Sequence, residues 1–366
     1  MTHSNINKIR DLGQSIWLDF FDRDIMDSEK LKTLIEETGI SGVTSNPSIF
    51  EKAISTSSDF DEDISALSQT QTDDGEIFFS LAVKDIQRAA DLLKKVYDNT
   101  EGEDGFVSLE VSPYLAHDTE GTMKQARKLW QKIGKQNAMV KIPATQEGLP
   151  AIRKCISEGI NINITLLFGL PRYQQVVNAY ISGLEDRLRV GKPIKQIASV
   201  ASFFLSRIDV MVDPLLEKRG LSRLQGQVAI ASAKRAYEMY KNAFTNPRFK
   251  SLEDNGAKRQ HLLWASTSSK NPAFSDVKYV DALVGAETIN TITLETLAAF
   301  QDHGTAQNSL GDNIDNANET LESLKKASID LDEITQKLEN DGIEKFNVAY
   351  QAIMKAIERK KNNHKL

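Results

Sequence analysis

One cysteine in 366 residues, Cys155, leaves no partner for a disulfide within the chain, and that usage fits a reducing compartment. Long apolar runs are missing as well. No stretch approaches the ~20 residues that a membrane-spanning helix needs. The opening segment, MTHSNINKIRDLG, is polar and holds no apolar signal core. There is no excess of positive charge: the formal net charge is −6, so the overall balance attracts neither nucleic acid nor anionic lipid. The histidines, His3, His117, His261, His303 and His364, fall at no ligand spacing, and with one cysteine no zinc pattern arises. A P-loop, a Rossmann glycine fingerprint and a GxSxG elbow are also lacking. The expectation is a cytoplasmic protein with no metal and no cofactor. Cys155 reads as a small core residue rather than a nucleophile.

What is present is a globular composition, 40% hydrophobic and 26% charged, with short apolar runs alternating with helical patterns. The runs are IWLDF (16–20), GVTSN (42–46), VSLEV (107–111), MVKIPA (139–144), INITLLF (162–168), ASVASFF (198–204), HLLWAST (261–267) and YVDALVG (279–285). Between them, Ser28 is placed to cap a helix that carries Leu31, Leu34 and Ile35 and ends at Gly39. Ile86, Ala89, Leu93 and Val96 share one helical face, as do Met123, Ala126, Leu129 and Ile133 before Gly134. Pro171 opens a long helix to about Leu188.

Strands alternating with helices require parallel pairing with outside crossovers. Eight such units point to an α/β chain closed as a (β/α)8 barrel more than to an open doubly wound sheet, though the count alone does not decide it; a single domain over 1–366 is expected. Two segments exceed the minimal barrel. One is 208–260, with a helical pattern at 222–244. The other is a C-terminal helical extension over 308–366, expected to pack on the barrel. It has a capping-box-like start at Asp330 and Glu333 and an apolar stripe of Ile343, Phe346, Tyr350, Ile353 and Ile357 after Gly342.

Polar residues gather late in these runs: Asp19, Asn46, Glu110, Lys141, Asn163, Thr165, Ser202 and Ser266. In a barrel the strand C-termini open onto one mouth, where chemistry collects. Buried polar groups cost free energy unless paired, so a whole layer of them points to a polar cup. Lys141, in AMVKIPAT, is the sharpest case. The bland alternative is a lysine paired with a carboxylate or reaching out at a strand end. The functional one is a desolvated amine that attacks a carbonyl. Glu110 and Asp19 are candidate acid/base groups, or else ion partners and caps. Asn163 and Thr165, two apart, share a strand face. Arg207 and Lys270 follow the sixth and seventh runs, where barrels often hold phosphate; surface solvation is the alternative for both.

These residues carry a resemblance. GVTSNPSIFEKAI, VSLEVSPYLAHDTEGT, MVKIPATQEG with ININITLLF, ASVASFFLSRIDVMVD, WASTSSKNP and DVKYVDALVG follow one another as in the longer type of transaldolase, from about residue 15 to the C-terminal helices. The resemblance implies that Lys141 forms a Schiff base, that Glu110 works through a water held by Thr165, and that Asp19 moves the proton of the substrate's C4 hydroxyl. It implies that Asn46, Asn163 and Ser202 contact the dihydroxyacetone hydroxyls, and that Arg207 binds phosphate. Short-type members carry an arginine near the serine equivalent to Ser266; here Thr267, Ser268 and Ser269 precede Lys270, which is assigned to the phosphate with Ser266.

The expected activity is transfer of a dihydroxyacetone unit from sedoheptulose 7-phosphate or fructose 6-phosphate to an aldose phosphate, within the pentose phosphate pathway. The alternative is a fructose-6-phosphate-type aldolase that releases free dihydroxyacetone. Phe204 stands where such an aldolase could use a tyrosine hydroxyl. The expected partners are sugar phosphates, with no nucleic acid and no membrane. The sequence leaves monomer and homodimer equally open.

Overall fold

The computed structural model describes residues 5–363, so His3, His364 and the first four residues of the polar opening segment lie outside the described residues. Eight parallel strands close into a barrel in sequence order. They are β1 (Gln14–Asp19), β2 (Gly42–Thr44), β3 (Val107–Glu110), β4 (Ala138–Pro143), β5 (Ile162–Leu167), β6 (Ser199–Phe204), β7 (His261–Ala265) and β8 (Thr288–Ile292). β8 pairs with β1, which closes the ring. The architecture is the expected (β/α)8 barrel. Among the described residues, no helix is long and apolar enough to cross a membrane.

The expected eighth strand is corrected. Residues 279–285 do not form one; a helix spans Lys278–Ala282 and the closing strand is TINTI at 288–292. Tyr279, Val280, Leu283 and Val284 are all buried, and that pairwise recurrence is a helical face rather than a two-residue alternation. TINTI is mostly β-branched, which suits a strand, but its threonines and asparagine disguise it as a loop. Ser28 is corrected as well. Asp22 caps the helix Arg23–Asp27 by accepting from the Ile25 N–H (2.8 Å), while Ser28 sits at that helix's C-terminal end. The next helix, Lys30–Thr33, widens into a π turn at Leu34–Thr38 and ends at Gly39.

The other helices largely follow their patterns. Asp74–Asn99 and Thr119–Ile133 carry the predicted apolar faces, and Leu170–Arg189 is the long helix expected to open at Pro171. Between β6 and β7 lie Ser206–Lys218, Val228–Thr245 and Pro247–Glu253. The pattern read from 222 starts as a short 3-10 turn, Ser222–Leu224, and becomes a helix only at Val228. The last helix, Leu331–Asn363, runs unbroken through Gly342. Asp330 Oδ1 accepts the N–H groups of Asp332 (3.0 Å) and Glu333 (3.1 Å) at its start.

This C-terminal helix packs against Pro47–Thr56, Asp61–Ser68, Asp74–Asn99 and Ser206–Lys218 and also touches β5. Tyr350 anchors it edge-on to Phe78 (5.7 Å) and Tyr114 (5.2 Å). Ion pairs fasten it at both ends: Arg172 with Glu339 (3.2 Å), and Lys361 with Asp74 (2.6 Å) beside Lys360 with Asp61. It therefore lies over the C-terminal ends of the strands.

The opposite end of the barrel is closed by Trp17, Phe106, Met139, Val200, Leu263 and Ile289. Gly42 on β2 faces the Trp17 indole so closely that an added Cβ would lie 2.4 Å from Trp17 Cδ2. Trp17 is fixed by its Nε1–H donating to Asp104 (2.8 Å) and cannot retreat cheaply. Gly42→Ala is expected to cost about 1–3 kcal/mol by overpacking, read as a lower urea midpoint at unchanged slope. An unaltered midpoint would show that the indole has room to move.

Candidate active site

The register of the central strands builds the site. Glu110 on β3 pairs with Lys141 on β4, and Lys141 pairs with Asn163 on β5. Three chemically different side chains thus lie abreast at one level. Lys141 is 4% exposed. Its Nζ donates to the Ser45 carbonyl (3.1 Å) and lies 3.9 Å from Glu110 Oε2. That distance makes an attraction but not a hydrogen bond. Glu110 Oε2 and the Thr165 hydroxyl are buried without a hydrogen-bond partner among the described residues.

Asn163 is held from both sides: its Nδ2–H donates to Ser108 Oγ (3.0 Å), and Ser202 Oγ donates to its Oδ1 (2.7 Å). The amide orientation is therefore fixed by its neighbours. Asp19, half-buried at the end of β1, accepts from Thr44 Oγ1 (3.0 Å), and Thr44 meets Thr291 Oγ1 at 2.8 Å. Asn46 is a helix cap, its Oδ1 accepting from the Ile49 N–H (3.1 Å) before Pro47. Ser266 Oγ meets Ser206 Oγ at 2.9 Å.

A cavity of about 250 Å3 opens over this layer. Asp19, Asn46, Lys141, Ser202, Arg207, Ser266 and Lys270 all line it, whereas Glu110, Asn163 and Thr165 do not. Glu110 lies behind Lys141, in a narrow space bordered by Ser45, Pro47, Phe50 and Tyr350. Arg207 and Lys270 are exposed at the rim, and Lys270 Nζ donates to Ser268 Oγ (2.6 Å). Among the described residues, neither enters an ion pair, and no group of His, Cys, Asp or Glu side chains converges as a metal-holding cluster.

Sequence reasoning missed several lining residues. Thr44 and Thr291 are hydroxyls beside Asp19; Thr291 was hidden with the misread eighth strand. Leu338, Asp341, Gly342, Lys345 and Phe346 come from the C-terminal helix, whose four-residue spacing was visible but whose target was not.

The electrostatics follow from burial. Removal from water pushes Glu110 up to about 7, against the opposing attraction of Lys141. Burial raises Asp19 too, opposed by Lys141, the Thr44 hydrogen bond and Lys270. Lys270, though exposed at the rim, is lowered by the partial desolvation of its amine and then by Arg207, with Asp19 pulling the other way. Those mutual effects mark Asp19, Lys270 and Arg207 as one electrostatic neighbourhood.

The chain matches the family model for transaldolase/fructose-6-phosphate aldolase over residues 16–357. It is 45% identical to a transaldolase of Trichodesmium erythraeum, with 98% of each chain covered. A transaldolase of Thiobacillus denitrificans is 42% identical, covering 96% of this chain and 99% of the other. The chain belongs to the transaldolase family. It is an enzyme of that family, and the layer around Lys141 is its candidate active site.

A raised carboxyl binds its proton more tightly in the folded state than in the unfolded one. Stability from Glu110 is therefore fullest below about 4.5, its ordinary value, and is lost as pH rises towards about 7. The shift corresponds to an upper bound on the order of 3 kcal/mol. Glu110→Gln is expected to gain stability relative to the parent between pH 5 and pH 8, measured by urea unfolding. A difference that stays flat with pH would refute the buried, proton-retaining carboxyl.

Proposed function

We propose that this enzyme is a transaldolase that moves a three-carbon dihydroxyacetone unit between sugar phosphates through an imine on Lys141. The observation that carries the reading is Lys141 itself: a buried amine between the Ser45 carbonyl and Glu110, lining a cavity whose rim bears Arg207 and Lys270. The relatives named transaldolase support a transaldolase activity; on this reading the donor is sedoheptulose 7-phosphate or fructose 6-phosphate and the acceptor erythrose 4-phosphate or glyceraldehyde 3-phosphate. That chemistry belongs to the pentose phosphate pathway and to the cytoplasm.

The Lys141 amine adds to the ketose C2 carbonyl, and the carbinolamine loses water to give an iminium. The unpartnered Glu110 Oε2 and Thr165 hydroxyl suit a water that relays those protons. Breaking C3–C4 sends its electron pair into the iminium, giving an enamine. The C4 hydroxyl proton goes to Asp19, and the aldose leaves. Asn46, Asn163 and Ser202 would hold the three-carbon hydroxyls. The enamine then attacks a second aldose, Asp19 returns a proton to the new alkoxide, and hydrolysis frees Lys141. Phe204 lines the cavity and offers no hydroxyl to protonate the enamine, which favours transfer over release.

Borohydride with fructose 6-phosphate, followed by peptide mapping, tests the imine. The expected result is a three-carbon adduct on Lys141 that is absent in Lys141→Met. An adduct on another lysine, or intact ketose with folded protein, would sink it. Arg207→Met removes a charge-assisted phosphate contact of about 1.5–3 kcal/mol. It should raise KM for fructose 6-phosphate by roughly ten- to a hundredfold while leaving turnover of unphosphorylated fructose little changed. Equal losses on both sugars would take Arg207 out of the phosphate site.

A further inference from the structure

Leu166 breaks the alternation of β5. Neighbouring strand residues face opposite sides, and the Thr165 hydroxyl is buried beside the site, yet Leu166 also lines the cavity. The backbone explains this. Leu166 has φ +52°, a left-handed conformation that costs a bulky residue about 1–3 kcal/mol. The pairing with β6 shifts register between Ile164 and Leu167. The side chain then meets the C-terminal helix at Gly342, where an added Cβ would lie 2.9 Å from Leu166 Cδ2. A glycine inside a helix costs about 1 kcal/mol relative to alanine. Two local costs are accepted at a single contact between the helix and the strand that carries Thr165.

Leu338, Gly342 and Phe346 recur at intervals of four, which puts them on one helix face, and all three line the cavity that holds Lys141. Phe168 and Phe204, with ring centroids 5.2 Å apart, continue the hydrocarbon surface. Asp341 and Lys345 of the same helix are exposed at the rim.

We infer that Leu166 and the Leu338–Gly342–Phe346 face form a water-excluding wall that keeps the covalent enamine waiting for an aldehyde. They act as positioning residues that decide transfer against release. The inference rests on the proposed imine on Lys141. In the competing reaction the enamine carbon takes a proton to give an iminium, water adds to the iminium carbon, and the C–N bond breaks. Free dihydroxyacetone leaves and the lysine amine returns, with one water consumed. Iminium hydrolysis by the water proposed at Glu110 and Thr165 is common to transfer and release; release alone needs a proton donor at the enamine carbon, so a hydrocarbon wall that keeps bulk water from that carbon slows release.

The test is the fate of the three-carbon unit. Fructose 6-phosphate and erythrose 4-phosphate are given to the parent, Phe346→Ala, Phe346→Leu and Gly342→Ala, and free dihydroxyacetone is measured against sedoheptulose 7-phosphate. Borohydride trapping on Lys141 normalises each to the imine formed. Phe346→Ala and Gly342→Ala should raise the ratio of released to transferred unit by about tenfold or more, and Phe346→Leu, which keeps the hydrocarbon, by much less. Gly342→Ala keeps the test informative if Phe346→Ala fails to fold. A constant ratio in folded variants, even with both products reduced, overturns the wall and leaves a structural role only. Absence of any adduct in the parent overturns the imine reading, and this inference with it.

Discussion

A lysine removed from water has to be compensated, and the rest of the site depends on how that is done. Lys141 is compensated incompletely. It has one carbonyl at hydrogen-bond distance and one carboxyl at 3.9 Å. A tight bidentate pair would stabilise the fold more but would lock the amine away from a carbonyl. The in-register alignment of Glu110, Lys141 and Asn163 is what permits this spacing, because strand geometry sets the lateral distances before any side chain chooses a rotamer. The neighbours of Lys141 are then constrained in turn. Asn163 is clamped by Ser108 and Ser202, so its amide is oriented before substrate arrives and does not compete for the lysine.

The cavity has two chemical halves. Hydroxyls, amides, Asp19 and the rim cations Arg207 and Lys270 come mostly from strand ends and the loops after them. Much of the hydrocarbon comes from Leu166, Phe168, Phe204 and the C-terminal helix. A chain of net charge −6 still presents the cations Arg207 and Lys270 at this mouth, and the field an anion would meet there is set by charges within about a Debye length of 8–10 Å. The lowering of Lys270 by Arg207 is the cost of setting two cations side by side, and a bound dianion would relieve it.

The barrel was readable because most of its strands are compact apolar runs between helical patterns. Lys141 was conspicuous because a charged residue interrupts such a run. The eighth strand was not readable: TINTI is rich in polar residues, of which Thr291 joins Thr44 and Asp19 at the mouth while Thr288 and Asn290 bond Gln14 and Thr267, and the nearby YVDALVG looks apolar enough to be a strand but begins as a helix. The position of Glu110 behind Lys141, rather than in the open cavity, needed the register of β3 on β4. The C-terminal helix showed its apolar stripe in the sequence, but periodicity records which residues share a face and never what that face covers. The cavity lining by Leu338, Gly342 and Phe346, with Gly342 set against Leu166, reveals that the helix borders the site.

Glu110 brings the electrostatics and the proposed chemistry together. Imine formation requires a proton to be delivered to a departing hydroxyl, and imine hydrolysis requires one to be withdrawn from an attacking water. A carboxyl at its ordinary value would be a poor acid near neutrality, and one held far above neutrality would be a poor base. Burial that brings Glu110 to about 7 gives comparable populations of both forms, so one group can serve both directions of a reversible transfer. The same burial is tolerable because Lys141 lies close enough to temper it. Lys141 therefore tempers the working range of the carboxyl, and removing the lysine charge would let burial raise Glu110 further.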